Sequence, residues 1–412
     1  MSTIRKVVED HLCISCGTCI ANCPKNCVAF QRSGNMFLPS IDMEACINCG
    51  ICYKVCPSSD MACTEIDDVC KYLLGEYKEI FAASSKSESL RMSSTSGGVV
   101  TQLVKKLLED GVYDAAYLSS GYNYDTLLES KRFEKGDDLS STPKSRYLTI
   151  SHRQMIRRMI DRPNEKLILI ATGCAIQGVI STIRLKKLHR ENYLLIGLFC
   201  DKTMNYGVVD YFKEHPAGNG KKLQDFYFRT KEAGGWPGNV RLVYCDGTHI
   251  DLPNTERMQV KDYFVPERCL YCMDKLNLSC DIAVGDNYIP ENKDTKGVNS
   301  IIIRTEIGAK VWEHCKTDFY YHEDTPEQLI SSQHLNLKEK NYYFQNMKGL
   351  REGVCDRRIK KLYSDALAKM KIGNSNSYAT VSNDCKKRRI KKKIRNIFTK
   401  TLGAIFRVYE KN

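Results

Sequence analysis

Two copies of one cysteine run near the N-terminus constrain this chain more than any other feature of it. The first reads Cys13-x-x-Cys16-x-x-Cys19-x-x-x-Cys23-Pro24 and the second Cys46-x-x-Cys49-x-x-Cys52-x-x-x-Cys56-Pro57. Each cysteine of the second run lies 33 positions after its counterpart. Soft thiolates suit iron–sulfur clusters, and the short steps let one turn of backbone wrap several iron corners. Zinc is the competing ligand, because Cys-x-x-Cys pairs also build zinc ribbons. Zinc needs only four ligands, however, and gives no reason for the third step, its repetition or the closing Cys-Pro. The pattern reads as iron–sulfur ligation, and the chain as one that moves electrons.

The spacing resembles that of bacterial ferredoxins with two 4Fe–4S clusters, in which the fourth cysteine of each run crosses to the other cluster. The resemblance implies Cys13, Cys16, Cys19 and Cys56 around one cluster, and Cys46, Cys49, Cys52 and Cys23 around the other. Residues 1–70 are expected to form this α+β ferredoxin-like module, with a hairpin at Ser33-Gly34-Asn35 between its halves. Cys27, Cys63 and Cys70 fall outside the pattern and read as free thiols.

At 412 residues the chain has room for two or three domains. Twenty cysteines would fit a disulfide-rich secreted protein, but the start MSTIRKVVED has no apolar signal region. No run of 18 apolar residues appears, so no membrane span is expected. With eight cysteines assigned to metal, a reducing cytoplasm is the consistent compartment. The net charge of +13 is concentrated at one end. Residues 386–412 hold eleven Lys or Arg against one Glu, a net +10, which leaves +3 for the other 385. Nucleic acid is therefore not an expected partner.

Residues 71–165 and 166–345 are expected to be two parts of an α/β domain with an inserted β segment. Ala83 to Ser89 reads as a polar linker. Ser93-Ser94-Thr95-Ser96-Gly97-Gly98 caps an amphipathic helix over Val99–Glu109, which Asp110-Gly111 stops. Leu167–Ala171 and Tyr193–Phe199 read as buried parallel strands separated by a helix. Asp225–Arg229, Asn239–Cys245 and Thr248–Leu252 read as the β insert, with a hairpin turn at Asp246-Gly247. Two more strands are expected within 281–304, and mostly helices beyond 318. Residues 346–373 read as a helical extension and 374–412 as linker and tail. The tail places Ile390, Ile394, Ile397, Phe398, Leu402, Ile405 and Phe406 at helical spacing among positive charges. A basic amphipathic helix of this kind suits an anionic membrane surface or a partner protein.

A second constellation lies in the α/β region. Cys174 and Cys200 follow two successive strands, which places them at the carboxyl edge of the sheet, where ligands bind. Cys269-x-x-Cys272 adds a pair, and Cys280 follows eight residues later. Cys200, Cys269, Cys272 and Cys280 are the expected ligands of a third 4Fe–4S cluster, with Cys174 behind them. A zinc site or an unmetallated thiol group is the alternative.

Residues 90–345 resemble the family of coenzyme F-420 hydrogenase/dehydrogenase beta subunits. The resemblance rests on Ser94-Thr95-Ser96-Gly97-Gly98, Lys144-Ser145-Arg146-Tyr147, Ile170-Ala171-Thr172-Gly173-Cys174 and Phe228-Arg229-Thr230-Lys231 with Gly235-Trp236. It continues through Arg268-Cys269-Leu270-Tyr271-Cys272-Met273-Asp274, Cys280-Asp281-Ile282-Ala283-Val284-Gly285-Asp286 and Asn299-Ser300-Ile301-Ile302-Ile303-Arg304-Thr305-Glu306. It implies an iron–sulfur oxidoreductase carrying FAD or FMN. A flavin joins two-electron chemistry to the single electrons of clusters. Ser96, Gly97 and Gly98 would offer backbone N–H groups to the flavin phosphate. Lys144 and Arg146 would pair with cofactor phosphate or carboxylate. Ala171-Thr172-Gly173-Cys174-Ala175 departs from the family's Gly-Thr-Pro-Cys-Gln and so puts the usual substrate contacts in question.

The expected function is an oxidoreductase passing electrons between the clusters and a flavin that reduces or oxidises a small organic carrier. Some relatives lie among genes for cell-surface polysaccharide synthesis. The other class is a non-catalytic relay subunit that wires a partner enzyme to ferredoxin.

Overall fold

The computed structural model describes residues 2–59, 69–121, 125–350, 357–375 and 377–409. Cys63 lies outside them, as do the side chains of Ile397, Phe398, Leu402, Ile405 and Phe406 in the tail. Among the described residues fourteen strands form three sheets. β1 (Val28–Ser33) and β2 (Met36–Ile41) make the N-terminal hairpin, turning at Gly34 with φ 56°. The strands that follow are β3 (Glu79–Ser85), β4 (Ala115–Ser119), β5 (Leu128–Phe133), β6 (Ile150–Ser151), β7 (Leu167–Thr172) and β8 (Tyr193–Leu198). β9 (Leu223–Thr230), β10 (Asn239–Tyr244) and β11 (His249–Leu252) form an antiparallel three-stranded insert. β12 (Ile282–Asp286), β13 (Asn299–Ile303) and β14 (Phe319–Glu323) complete the set.

The large sheet has the order β14-β3-β13-β12-β8-β7-β4-β5-β6. Its centre is parallel: β12 with β8, β8 with β7, and β7 with β4. β3, β13 and β14 add antiparallel strands on one side. Segments 71–165 and 166–345 thus share one sheet. Successive side chains of a strand point to opposite faces, and both faces here are covered. Leu167, Leu169 and Ala171 join Ile176 and Val179 of the helix Gly173–Lys186 on one side. Ile168 and Ile170 join Leu103 and Leu107 of the helix Val99–Glu109 on the other.

The N-terminal module packs on the first of these faces. Cys16 and Ala21 belong to the same apolar core as Met155, Ile176 and Val179. Asn22 Nδ2 donates to Thr182 Oγ1 at 2.9 Å, and His152 N donates to Cys16 O at 2.8 Å. Gly178 is required at this seam, since a Cβ there would stand 2.4 Å from Thr18 Oγ1.

Two expected linkers are structured. Ala83–Ser85 ends β3, buried between β13 and β14, because ladder bonds from both neighbours satisfy its backbone. Residues 378–384 open the helix Tyr378–Tyr409. Tyr378 packs at a tilt against Tyr211 with centroids 4.7 Å apart, Val381 is fully buried, and Tyr263 donates to Asp384 at 2.8 Å. Further along, Ile390 and Ile394 are exposed, at 58% and 48%. No helix among the described residues is long and apolar enough to cross a membrane.

Candidate functional site

The two cysteine runs fold alike. In Cys13-Ile-Ser-Cys16-Gly17 and Cys46-Ile-Asn-Cys49-Gly50, the residue two after the first cysteine is left-handed (Ser15 φ 57°, Asn48 φ 53°), and so is the glycine (Gly17 φ 81°, Gly50 φ 70°). The turn aims backbone N–H groups at sulfur: Ser15 N reaches Cys13 Sγ at 3.4 Å and Asn48 N reaches Cys46 Sγ at 3.5 Å. One-turn helices, Thr18–Ala21 and Ile51–Lys54, carry the next cysteines. Proline after the final cysteine has no N–H to donate, so the helix cannot continue through it.

Each run contributes to two cavities. One is lined by Cys13, Cys16, Cys19 and Cys56 with Ile4, Phe30 and Pro39. The other is lined by Cys23, Cys46, Cys49 and Cys52, together with Cys27. Among the described residues no three His, Cys, Asp or Glu side chains close on a single metal ion. Each space is instead lined by at least four cysteines drawn from both runs. Burial raises the thiols of Cys13, Cys19 and Cys52, and pushes Cys56 up to about 12 with help from Cys16. Cluster assembly must therefore displace protons.

A third group of sulfurs sits at the carboxyl edge of the parallel strands. Cys174 follows β7 and Cys200 follows β8, while the one-turn helix Arg268–Tyr271 supplies Cys269 and leads to Cys272. Cys174 is pushed up to about 12, first by burial and then by Cys272 and Cys269. Cys200 is raised by burial and by Cys269, Cys174 and Cys272. Cys280 does not join them. Its thiol donates to Asn277 O at 3.1 Å, it is buried, and its charged neighbours are Arg304, Asp281 and Asp274. Cys174, Cys200, Cys269 and Cys272 act on one another's thiols, while Cys280 is not among the groups that act on them.

Cations surround this group. Lys338 is buried, donates to Asp201 O at 2.6 Å, pairs with its carboxylate at 3.2 Å and lowers the thiols of Cys200 and Cys269. Lys202, Lys261 and Lys275 also act on Asp201. Arg268, 5% exposed, links the third group to the first cavity. Its Nε donates to Ser58 Oγ at 2.9 Å and its Nη2 to Pro57 O at 3.3 Å, beside Cys56. The same guanidinium acts on Cys56, Cys174, Cys269 and Cys272.

Ser96-Gly97-Gly98 opens the helix Val99–Glu109 with Gly98 at φ 81°. Gly97 admits no side chain, because a Cβ would stand 2.7 Å from Ala83 O and 2.9 Å from Asn299 Oδ1. Thr95 accepts from Ser145 N at 2.7 Å, which ties this turn to the segment holding Lys144 and Arg146. Lys144 lies 3.8 Å from Glu232. Arg146 points into its own loop and donates to the carbonyls of Gly121, Ser141, Thr142 and Lys144. Its placement is that of a loop staple.

Beneath the turn lies a polar network that no local sequence pattern announces. Lys231, 3% exposed, donates to the carbonyls of Arg91, Ser96 (2.9 Å) and Lys296 (2.6 Å). Burial, and then Arg91 and Arg229, lower its ammonium to about 8. Arg229 pairs with Asp286 at 2.6 Å and donates to Tyr147 Oη at 3.1 Å. Trp236 Nε1 and Tyr288 Oη each donate to Asp286 at 3.2 Å. Burial alone would raise the Asp286 carboxyl, but Arg229 brings it below the usual range. Asp286 ends β12 at the same sheet edge as Cys174 and Cys200. Within the stretches that carry the family resemblance, Arg229, Lys231, Trp236 and Asp286 were the available signal.

Residues 12–59 match the 4Fe-4S dicluster domain. Residues 80–157 match the N-terminal part of the coenzyme F420 hydrogenase/dehydrogenase beta subunit, and residues 164–328 its C-terminal part. An F(420)H(2) dehydrogenase subunit of Methanosarcina mazei is 24% identical over 327 residues, covering 78% of this chain and 87% of that protein. The coenzyme F420-dependent sulfite reductase of Methanocaldococcus jannaschii is 26% identical over 327 residues; the match covers 75% of this chain and 46% of that one. Among solved structures, a chain of the F420-reducing [NiFe] hydrogenase complex from Methanosarcina barkeri shares the fold. Its TM-score is 0.50 at 17% identity, covering 71% of this chain and all of that one. The cysteine module and the α/β sheet behind it are thus iron–sulfur oxidoreductase architecture, and the chain belongs to the family of coenzyme F420 hydrogenase/dehydrogenase beta subunits, with an N-terminal 4Fe-4S dicluster domain.

Proposed function

We propose that this chain takes electrons in at its N-terminal module and delivers them, through a third iron–sulfur site, to a flavin that exchanges them with a small organic carrier. In this reading Cys13, Cys16, Cys19 and Cys56 hold the first 4Fe–4S cluster, and Cys23, Cys46, Cys49 and Cys52 the second. Cys174, Cys200, Cys269 and Cys272 hold the third. Clusters supply one-electron transfer, and a flavin couples it to two-electron chemistry. The observation that carries the reading is the position of Arg268. One buried guanidinium contacts Pro57 and Ser58, next to Cys56, and acts on three sulfurs of the third group. Two anionic cysteine sites this close to one cation are arranged as neighbours in a relay.

The residues fit the flavin as follows. Ser96, Gly97 and Gly98 supply the phosphate turn, Lys231 holds the Ser96 carbonyl from below, and Lys144 pairs with Glu232 nearby. Tyr147, Trp236 and Tyr288 hydrogen-bond around the Arg229–Asp286 pair. Both FAD and FMN carry a phosphate for this turn.

The relatives named as subunits of a dehydrogenase and a hydrogenase favour a second reading, in which a partner subunit performs the final chemistry. The exposed Ile390 and Ile394, flanked by lysines, would then dock on that partner or on an anionic membrane. Anaerobic purification with iron, sulfide and flavin counted per chain separates these readings. About twelve irons and one flavin support the three-cluster flavoprotein. About eight irons and no flavin sink it and leave the relay subunit.

A further inference from the structure

The second N-terminal cavity is lined by five cysteines, although a 4Fe–4S cluster takes only four thiolates. The fifth is Cys27. Its Sγ lies 3.4 Å from Cys23 Sγ, and it is 8% exposed. The chain returns it there by a tight turn. Asn26 is left-handed at φ 50°, Asn26 N donates to Cys23 O at 3.3 Å, and Asp42 N then holds Cys27 O at 2.8 Å as β1 begins. Between the two sulfurs, Pro24, Lys25 and Asn26 are all exposed, so this short loop can shift without repacking a core. The duplication does not demand the residue, because the position four after Cys56 is Asp60. A buried cysteine often serves only as a small hydrophobe. That role does not call for a sulfur in contact with a ligand sulfur on the wall of a cluster cavity.

We infer that Cys27 is a reserve ligand of the second N-terminal cluster, able to take the iron corner that Cys23 holds. The inference rests on the reading of this cavity as a cluster site. In the exchange, the Cys27 sulfur bonds iron as the Cys23 sulfur leaves, and the Cys27 proton passes to Cys23. No electron is gained or lost. While Cys23 is the ligand, the Cys27 thiol donates a hydrogen bond to it, which raises the cluster's reduction potential.

The test compares full-length wild type, Cys23→Ala, Cys27→Ala, Cys49→Ala and Cys23→Ala/Cys27→Ala, purified anaerobically, by iron content and by electron paramagnetic resonance after reduction. Cys27→Ala should keep full iron with one cluster shifted to lower potential. Cys23→Ala should keep full iron with an altered signal, whereas Cys49→Ala and the double variant should lose about four irons each. Folded Cys23→Ala that loses as much iron as the double variant overturns the inference. Should Cys23→Ala not fold, an unchanged potential in Cys27→Ala overturns it. Wild type without a cluster in this cavity refutes the underlying reading instead.

Discussion

Arg268 Nε donates to Ser58 Oγ at 2.9 Å, in a contact that spans 210 residues of sequence and joins the dicluster module to the third cysteine group. Neither partner has an apparent role in the sequence. Their meeting lets one buried cation act on both Cys56 and Cys269.

Replacing Arg268 with methionine should lower the reduction potentials of both the first and third clusters, because a positive charge that favours the reduced, more negative state is gone. Stability should fall by about 1.5–3 kcal/mol, the usual worth of hydrogen bonds to a charged group. Arg268→Lys should recover part of the potential but not the stability, since an ammonium cannot reproduce the planar fork. Redox titration beside urea unfolding measures both.

Asp286→Asn leaves the Arg229 guanidinium buried without its anion and should cost about 3–5 kcal/mol at neutral pH. The carboxyl is depressed in the folded state, so its contribution is complete above the unfolded value of about 3.9 and is lost as pH falls through the folded one. The stability gap between wild type and Asp286→Asn should therefore be constant from pH 7 to about 5 and narrow below about 4. Urea midpoints across that range give the answer.

The bounds of the helix Val99–Glu109 were legible, because its apolar period and its glycine stop are local, although its N-cap is Gly98 with no side-chain cap. The first eight cysteines stood out for the same kind of reason, a spacing repeated at fixed offset, while their division into two groups came from the resemblance to bacterial ferredoxins. Cys174 and Cys280 show where reading stops. Cys280 is the nearer to the Cys269–Cys272 pair in sequence, yet it is the helix after β7, whose Gly173 meets Asp274 so closely that it can bear no Cβ, that brings Cys174 to the group. Ala83-Ser84-Ser85 looked like linker because serine is common there, yet its two neighbouring strands come from 200 residues away. Lys231 could not be singled out, since its three acceptors are backbone carbonyls from two distant segments of the chain.

Gly97→Ala should release the flavin. The added methyl would meet Ala83 O and Asn299 at under 3 Å and push the phosphate turn out of place. Lys231→Met should act in the same direction, leaving three carbonyls without a donor at about 1–3 kcal/mol each before relaxation. Both variants should retain the iron of wild type. Flavin absorbance and iron, counted on the same sample, distinguish loss of the turn from general unfolding.

Removing residues 390–412 keeps the docked start of the final helix, where Arg388 bridges Asp384 and Asp365. The truncated chain should keep its iron and its unfolding midpoint but lose binding to vesicles rich in anionic lipid. In the full chain that binding should weaken steeply with salt. Co-sedimentation at low and high ionic strength measures it.

The relay itself is tested most directly by mixing the fully loaded protein anaerobically with a reduced one-electron donor and following flavin bleaching in wild type and Cys269→Ala. The dicluster module should be reduced in both, while the flavin is reduced promptly only in wild type. Flavin reduction at the wild-type rate in Cys269→Ala would contradict a route through the third cysteine group.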